Sequence, residues 1–342
     1  MDDVKYNLNP IYSREDIREL GEGRLEWAKS LEGQRFLPGT VGLNNIKATD
    51  YVNVALQALG RVPPLRDFFL DTANYKECSS QLVARYGELV RKMWNRRAYK
   101  GQVSPHELMQ SVLKDSGGRF KVDVQADPMQ FLVWFLNTLH LQLTGGKPKR
   151  RSVITRCFQG EMEVVAVGRD GADGPPKRGP FLMLSLDLPP APVFQDEMEK
   201  NIIPQVPLFV LLRKYDGAQV HEHVRHGRRK FRLTRLPRYL ILHEQRFNRN
   251  NFFMEKNPTI VTFPIRNLEL RDSPLPAPPG QPSKYDLVAS VSHEGKPEGG
   301  AYKAHISHQD TWYEVQDLAV REELAQMVPL AESYIQIFAQ QG

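Results

Sequence analysis

Residues 42–57 read Gly42-Leu-Asn-Asn-Ile-Lys-Ala-Thr-Asp-Tyr-Val-Asn-Val-Ala-Leu-Gln57. Tyr51, Val54, Ala55, Ala58 and Leu59 fall at i, i+3, i+4, i+7 and i+8. That spacing predicts a helix with one apolar face, beginning at Asp50. The same texture extends from residue 37 to about 142. Leu82, Val83, Tyr86, Leu89, Val90, Met93 and Trp94 form a second stripe. Ser104-Pro105-His106-Glu107 opens a third helix, with a cap, a proline in the first turn and a carboxylate closing the box. Asp127-Pro128-Met129-Gln130 opens a fourth, followed by Phe131, Leu132, Phe135, Leu136 and Leu139. Upstream, residues 1–36 form a charged extension. Ser13 and Asp16 make a capping box there, and Ile17, Leu20 and Trp27 suggest a short helix. These stripes read as core and carry no chemistry.

After about residue 150 the pattern changes to short β-branched and aromatic runs between turn-rich stretches. Val153–Phe158, Phe181–Leu188, Arg238–Phe247, Tyr285–Val291 and Ser333–Phe338 read as strands, and 168–180 and 271–284 as exposed loops. No internal repeat is visible. A helical half followed by a mainly β half defines an α+β chain.

The chain has 342 residues, enough for one large domain or two of ordinary size. Its 46 Lys and Arg against 40 Asp and Glu leave a net charge of +6, well short of a dedicated nucleic-acid arm. Two cysteines, Cys78 and Cys157, exclude a disulfide scaffold and a four-cysteine zinc site. They make a reducing compartment, cytosol or nucleus, the default. No apolar run of about 18 residues exists, so no transmembrane helix is expected. The first ten residues lack the basic-then-apolar order of a signal peptide.

Nucleotide-binding, hydrolase-elbow and zincin motifs are missing. His221, His223 and His226 have a spacing that fits no common metal site, and they sit among Arg225, Arg228, Arg229 and Lys230; a solvated basic loop is the simpler reading. Lys147, Lys149, Arg150 and Arg151 form a second basic cluster, read as an import signal, a phosphate contact or a solvated tip. Cys157, in an apolar run, is expected to be buried and inert, and Cys78 has no base near it in sequence. No metal and no cofactor is expected.

The quoted stretch resembles the cysteine box of the ubiquitin-specific proteases, G-L-x-N-L-G-N-T-C-Y-M-N-S-x-L-Q. Further resemblances follow in order. Gln125-Ala-Asp-Pro-Met-Gln-Phe131 looks like Q-Q-D-A-x-E-F, and Phe158-Gln-Gly160 like F-x-G. Leu236-Pro-Arg-Tyr-Leu-Ile-Leu-His-Glu-Gln-Arg-Phe247 looks like L-P-x-x-L-x-I-H-L-K-R-F. Tyr285–Gly295, Gly300–His305 and Trp312–Asp317 look like the histidine box. The resemblance implies a papain-like cysteine-protease fold over 37–342, with a helical thumb at about 37–145 and β-rich fingers and palm at about 146–342. It also implies fingers without zinc, because Cys157 is the only cysteine after residue 150.

The departures decide the functional expectation. By this resemblance, Asp50 stands at the nucleophile position, Ala301 at the general base and Gln316 at the residue that orients the base. Asn45 matches the oxyanion-stabilising asparagine, and His293 matches a family histidine that is not the base. A carboxylate is a poor nucleophile toward an amide, and without an imidazole nothing protonates the leaving amine. Asp50 would instead cap the helix that starts there and complement its dipole, worth about 0.5–2 kcal/mol.

Loss of the triad, Lys47 in place of the family's glycine, Asn257–Pro264 and His293–Pro297 resemble an inactive branch of the family attached to the spliceosomal tri-snRNP. That resemblance implies a nuclear pseudoenzyme that scaffolds pre-mRNA splicing. Its implied partners are splicing proteins, including the helicase that unwinds the small nuclear RNA pair; ubiquitin and direct RNA contact stay open, and no membrane is expected. The other readings are a ubiquitin-binding module that no longer cleaves and a residual deubiquitinase. The branch usually carries an upstream zinc-finger domain, so the chain is expected to be a truncated piece, a short natural form being the alternative.

Overall fold

The computed structural model describes residues 6–22, 26–190, 203–223, 227–249, 253–271 and 280–341. The chain divides into two compact units, Met1–Thr155 with Tyr302–Leu324, and Arg156–Ala301 with Ala325–Gly342.

The first unit is built on capped helices. Before α1 (Arg14–Glu22), Ser13 N–H donates to Asp16 Oδ2 at 2.8 Å and Asp16 N–H donates to Ser13 Oγ at 3.1 Å, the reciprocal pair the sequence predicts. Trp27 lies outside that helix and is half exposed. All ten residues of α2 (Asp50–Leu59) are buried. The next helices are α3 (Pro63–Leu70), α4 (Gln81–Met93) and α5 (His106–Asp115). α5 starts at His106 without a side-chain cap, one step later than the Ser104 box suggests. In α6 (Pro128–Leu143), Asp127 accepts from Met129 N–H and Gln130 N–H at 2.7 and 3.3 Å. The helices meet through aromatic rings. Phe131 stacks on Phe135, Tyr86 meets Phe135 edge-on at 5.0 Å, and Phe69 meets Tyr86 at 4.6 Å.

This unit also holds, from Tyr302 onward, an antiparallel meander of Ala301–His308, Thr311–Gln316 and Ala319–Glu323. Gln309 and Asp310 join its first two strands with φ of 50° and 66°, as a two-residue hairpin turn requires.

In the second unit, Lys284–Glu294 pairs with Ser333–Gln340, which pairs with Tyr239–Gln245, all antiparallel. Tyr239–Gln245 then pairs in parallel with Leu184–Asp187. A second sheet runs Lys177–Phe181, Gly160–Ala166, Gly227–Arg235, His221–His223. Arg246, wholly buried, donates to Glu244 Oε2 at 2.8 Å, to the carbonyls of Asn257 and Thr259, and to that of Ser333. Using its donors in this way offsets the cost of burying the guanidinium.

Three expectations are corrected. Val153–Phe158 is a helix, α7, not a strand. Ser152 N–H donates to Thr155 Oγ1 at 2.9 Å, and Thr155 Oγ1 donates back to the Ser152 carbonyl. The buried pairs Val153 and Cys157, and Ile154 and Phe158, are spaced i, i+4, so the helical period overrides β-branched composition. Residues 177–180, expected as loop, belong to the edge strand Lys177–Phe181. The basic run from 227 is a paired strand rather than a loop, and Arg225 and His226 lie outside the described residues. Of 271–284, residues 272–279 also lie outside them.

Among the described residues no helix is long and apolar enough to cross a membrane.

Candidate functional site

The loop entering α2 is shaped by its own side chains. Asn45 Oδ1 accepts from Thr49 N–H at 2.8 Å, and Thr49 Oγ1 accepts from Ile46 N–H at 2.9 Å. Between them Lys47 takes φ 70°, the left-handed region that favours glycine. The glycine of the resembled motif thus meets a backbone need, which the exposed Lys47 meets with strain. Gly42 has a different reason: a Cβ there would lie 2.7 Å from the Leu318 backbone.

Asp50 is the first residue of α2, and Thr49 holds the capping position without a side-chain cap bond. The side chain is only 6% exposed, contrary to an open nucleophile position. Its Oδ2 accepts from Gln125 Nε2 at 2.6 Å and from Tyr302 N–H at 3.2 Å. Burial raises its pKa above the ordinary carboxylate range, against the pull of bonds from Tyr302, Gln125 and the Tyr51 N–H, with nearby Asp317 adding to the rise. Oδ1 is buried without a hydrogen bond among the described residues. The expected helix cap is therefore mainly a tertiary pin.

Asp317, with φ 50°, completes the group. Its Oδ2 accepts from Asn45 Nδ2 at 3.0 Å and its Oδ1 from Asn53 Nδ2 at 2.8 Å. Asn53 also donates to the carbonyls of Leu43 and Asn44, and Gln57 Nε2 donates to Val41 O at 2.7 Å. The structure thus gathers Asn45, Asp50, Asn53, Gln125, Tyr302 and Asp317. Sequence reading singled out Asn45 and Asp50 but neither Asn53 nor Asp317. An amide inside an otherwise apolar helix was the available signal for Asn53; Asp317 closes the Trp312–Asp317 motif, which assigns it no role of its own.

Ala301 immediately precedes Tyr302 and is half-buried, as is Gln316, which opposes Ala319 on the neighbouring strand. His305 is turned to Glu323, with Nδ1 to Oε2 at 2.7 Å. In the second unit, His293 is buried and burial drives its pKa down to about 4, with Lys256 and Arg246 adding to the effect. Cys157 is buried and its thiol is pushed up to about 11, chiefly by burial, as inertness requires. Cys78 is half-buried against the Gln142 carbonyl.

His305, Glu314 and Glu323 are the one trio of metal-type ligands that converge among the described residues. Lys303 already faces Glu314 at 3.4 Å and His305 Nδ1 lies 2.7 Å from Glu323 Oε2, so each member of the trio has a protein partner. Lys147, Lys149, Arg150, Arg151 and Arg228 are exposed. Arg229 and Lys230 are half-buried, and Lys230 pairs with Asp173 at 2.8 Å.

The ubiquitin carboxyl-terminal hydrolase family matches residues 41–338, and the chain belongs to that family. It is 43% identical to human ubiquitin carboxyl-terminal hydrolase 39 over 99% of its own length and 65% of that protein. It thus spans a little under two thirds of that relative. It is 38% identical to the Schizosaccharomyces pombe probable mRNA-splicing protein ubp10, covering 99% of this chain and 72% of the relative. Among solved structures it resembles an essential yeast splicing factor, with TM-score 0.76 and 26% identity, covering 98% of this chain and 76% of that one.

Two predictions follow from the geometry. Lys47→Gly removes left-handed strain at an exposed position and should stabilise the chain by about 0.5–1 kcal/mol, read by urea unfolding. Because the folded pKa of Asp50 is raised, its protonated form favours the fold, and that stability is lost as pH rises through the folded value. Asp50→Asn should therefore gain on the wild type between acid and neutral pH. Melting temperatures of the pair, followed as pH rises from the ordinary aspartate value of about 3.9 to neutral, check the sign of the slope.

Proposed function

We propose that this chain is a pseudoenzyme of its family that acts as a non-catalytic scaffold in pre-mRNA splicing. It would help assemble or stabilise the tri-snRNP through protein contacts in the nucleus. The observation that carries the reading is Asp50 itself: a buried carboxylate, bonded to Gln125 and Tyr302, where the family places its thiol. Peptide hydrolysis by a cysteine route needs a thiolate and a base. Asp50, Ala301 and Gln316 offer neither at the resembled triad positions. Asn45, matched to an oxyanion donor, already uses its amide on Asp317 and Thr49. The names of the fission-yeast relative and of the solved yeast protein, both of splicing, support the assignment to that process.

The implied partners are splicing proteins, the small-nuclear-RNA-unwinding helicase among them. Lys147, Lys149, Arg150, Arg151, Arg225, Arg228, Arg229 and Lys230 are the proposed contacts to acidic protein or RNA. In this reading the helical half serves as the thumb and the β half as fingers and palm. Ubiquitin binding without cleavage is the second reading, favoured by the palm motifs that the chain keeps.

With a fluorogenic ubiquitin substrate, neither the chain nor Asp50→Cys should release dye above a no-protein blank. The single thiol fails because Ala301 supplies no base. In extract depleted of the endogenous homologue, the full-length protein should restore splicing equally with Asp50 or with Asn at that position. Turnover by the wild type, or rescue that tracks turnover, would overturn the scaffold reading.

A further inference from the structure

A cavity of about 200 Å³ opens in the first unit, away from the Asp50 group, between α1, the α2–α3 connection, Trp94 and the turn after Ser307. Two arginines line it, Arg61 and Arg66, each only 7% exposed. Both guanidinium groups lie on the Trp94 ring, at 5.1 and 4.5 Å from its centroid. Arg61 donates to Gly39 O and to His308 Nδ1, the latter at 2.8 Å. Since arginine only donates, His308 Nδ1 carries no proton, and the ring is neutral. Thr40 Oγ1 also lies 2.7 Å from that nitrogen. Burial, with Arg61 and Arg66 adding to it, drives the His308 pKa down to about 3.

The charges here do not balance. Arg66 Nε pairs with Asp67 Oδ1 at 2.6 Å, and among the described residues Arg61 has no carboxylate partner. Arg61 Nε and Arg66 Nη2 are buried with no hydrogen bond among the described residues. Burial, then Arg66, pulls the Arg61 pKa down to about 9, the mark of a cation short of an anion. Buried unpaired donors on charged groups are costly, and an entering oxyanion would relieve that cost.

We propose that this cavity is a docking pocket for a carboxylate side chain of an acidic protein segment. Two guanidinium groups less one aspartate leave a single positive charge, which a carboxylate matches and a phosphate dianion exceeds. The apolar wall at Leu20 and Pro63 suits the methylenes of a glutamate. A nucleic-acid strand is disfavoured because it binds along an open basic groove with exposed stacking faces. The Trp94 ring is 3% exposed and already covered by the guanidinium groups, so no base can stack on it. The inference does not depend on the splicing assignment, and its test reads neither splicing nor hydrolysis.

The test is fluorescence anisotropy of the purified chain with a labelled octapeptide of alternating glutamate and glycine, against the same peptide with glutamine. The glutamate peptide should bind at least about tenfold tighter. Gly21→Glu places a carboxylate at the rim, where an added Cβ meets nothing within 4 Å, and should abolish binding while the melting temperature holds or rises. Arg61→Gln should weaken binding by at least about tenfold, and if that variant does not fold, Gly21→Glu decides. Equal binding of the glutamine peptide, or binding that survives Gly21→Glu, overturns the proposal. So does a phosphoserine peptide that binds tighter than the glutamate one, or displacement of the peptide by oligouridylate.

Discussion

One carboxylate oxygen organises the middle of the first unit. Asp50 Oδ2 accepts a hydrogen bond from the Gln125 amide, ahead of α6, and another from the Tyr302 backbone N–H, at the start of the meander. Three segments far apart in sequence therefore converge on one atom. A second carboxylate, Asp317, gathers Asn45 and Asn53 beside it. Burial resists the charge on Asp50 and the nearby Asp317 repels it, so its pKa is raised. The amides of Gln125, Asn45 and Asn53 make the arrangement tolerable.

The same arrangement explains why chemistry and structure exclude each other here. A cysteine nucleophile must be accessible, deprotonated and next to a base. Asp50 is buried, acceptor-only when ionised, and occupied. Asn45 is occupied as well. At position 47 a lysine takes the left-handed turn that favours glycine, so the hydrogen bonds of the loop hold its shape against the side chain's preference. Hydrogen bonding and packing set this geometry, and it does not depend on a reactive group at position 50.

Much of this was legible in the sequence. The stripe after Asp50 and the caps at Ser13 and Asp127 are local signals, and each formed as read. The ordered motifs gave the family, and the family match over 41–338 agrees with it. The misses have physical causes. Val153–Phe158 carries β-branched residues, yet its i, i+4 burial and the Ser152–Thr155 bonds favour a helix. Arg228–Lys230 looked like a loop because charge density hides a strand whose partners are elsewhere in the chain. The burial of Asp50 was invisible because it depends on Gln125 and Tyr302, 75 and 252 residues away. The arginine pair at Trp94 was invisible for the same reason, since Arg61 meets His308 across 247 residues.

The central claim is that Asp50 is a structural pin. Amide hydrogen exchange at Tyr302 tests it most directly, comparing the wild type with Asp50→Ala. The account predicts that the wild-type Tyr302 amide exchanges as slowly as its neighbours in the meander and that the substitution speeds it selectively. Fast exchange in the wild type, or no change on substitution, would contradict it.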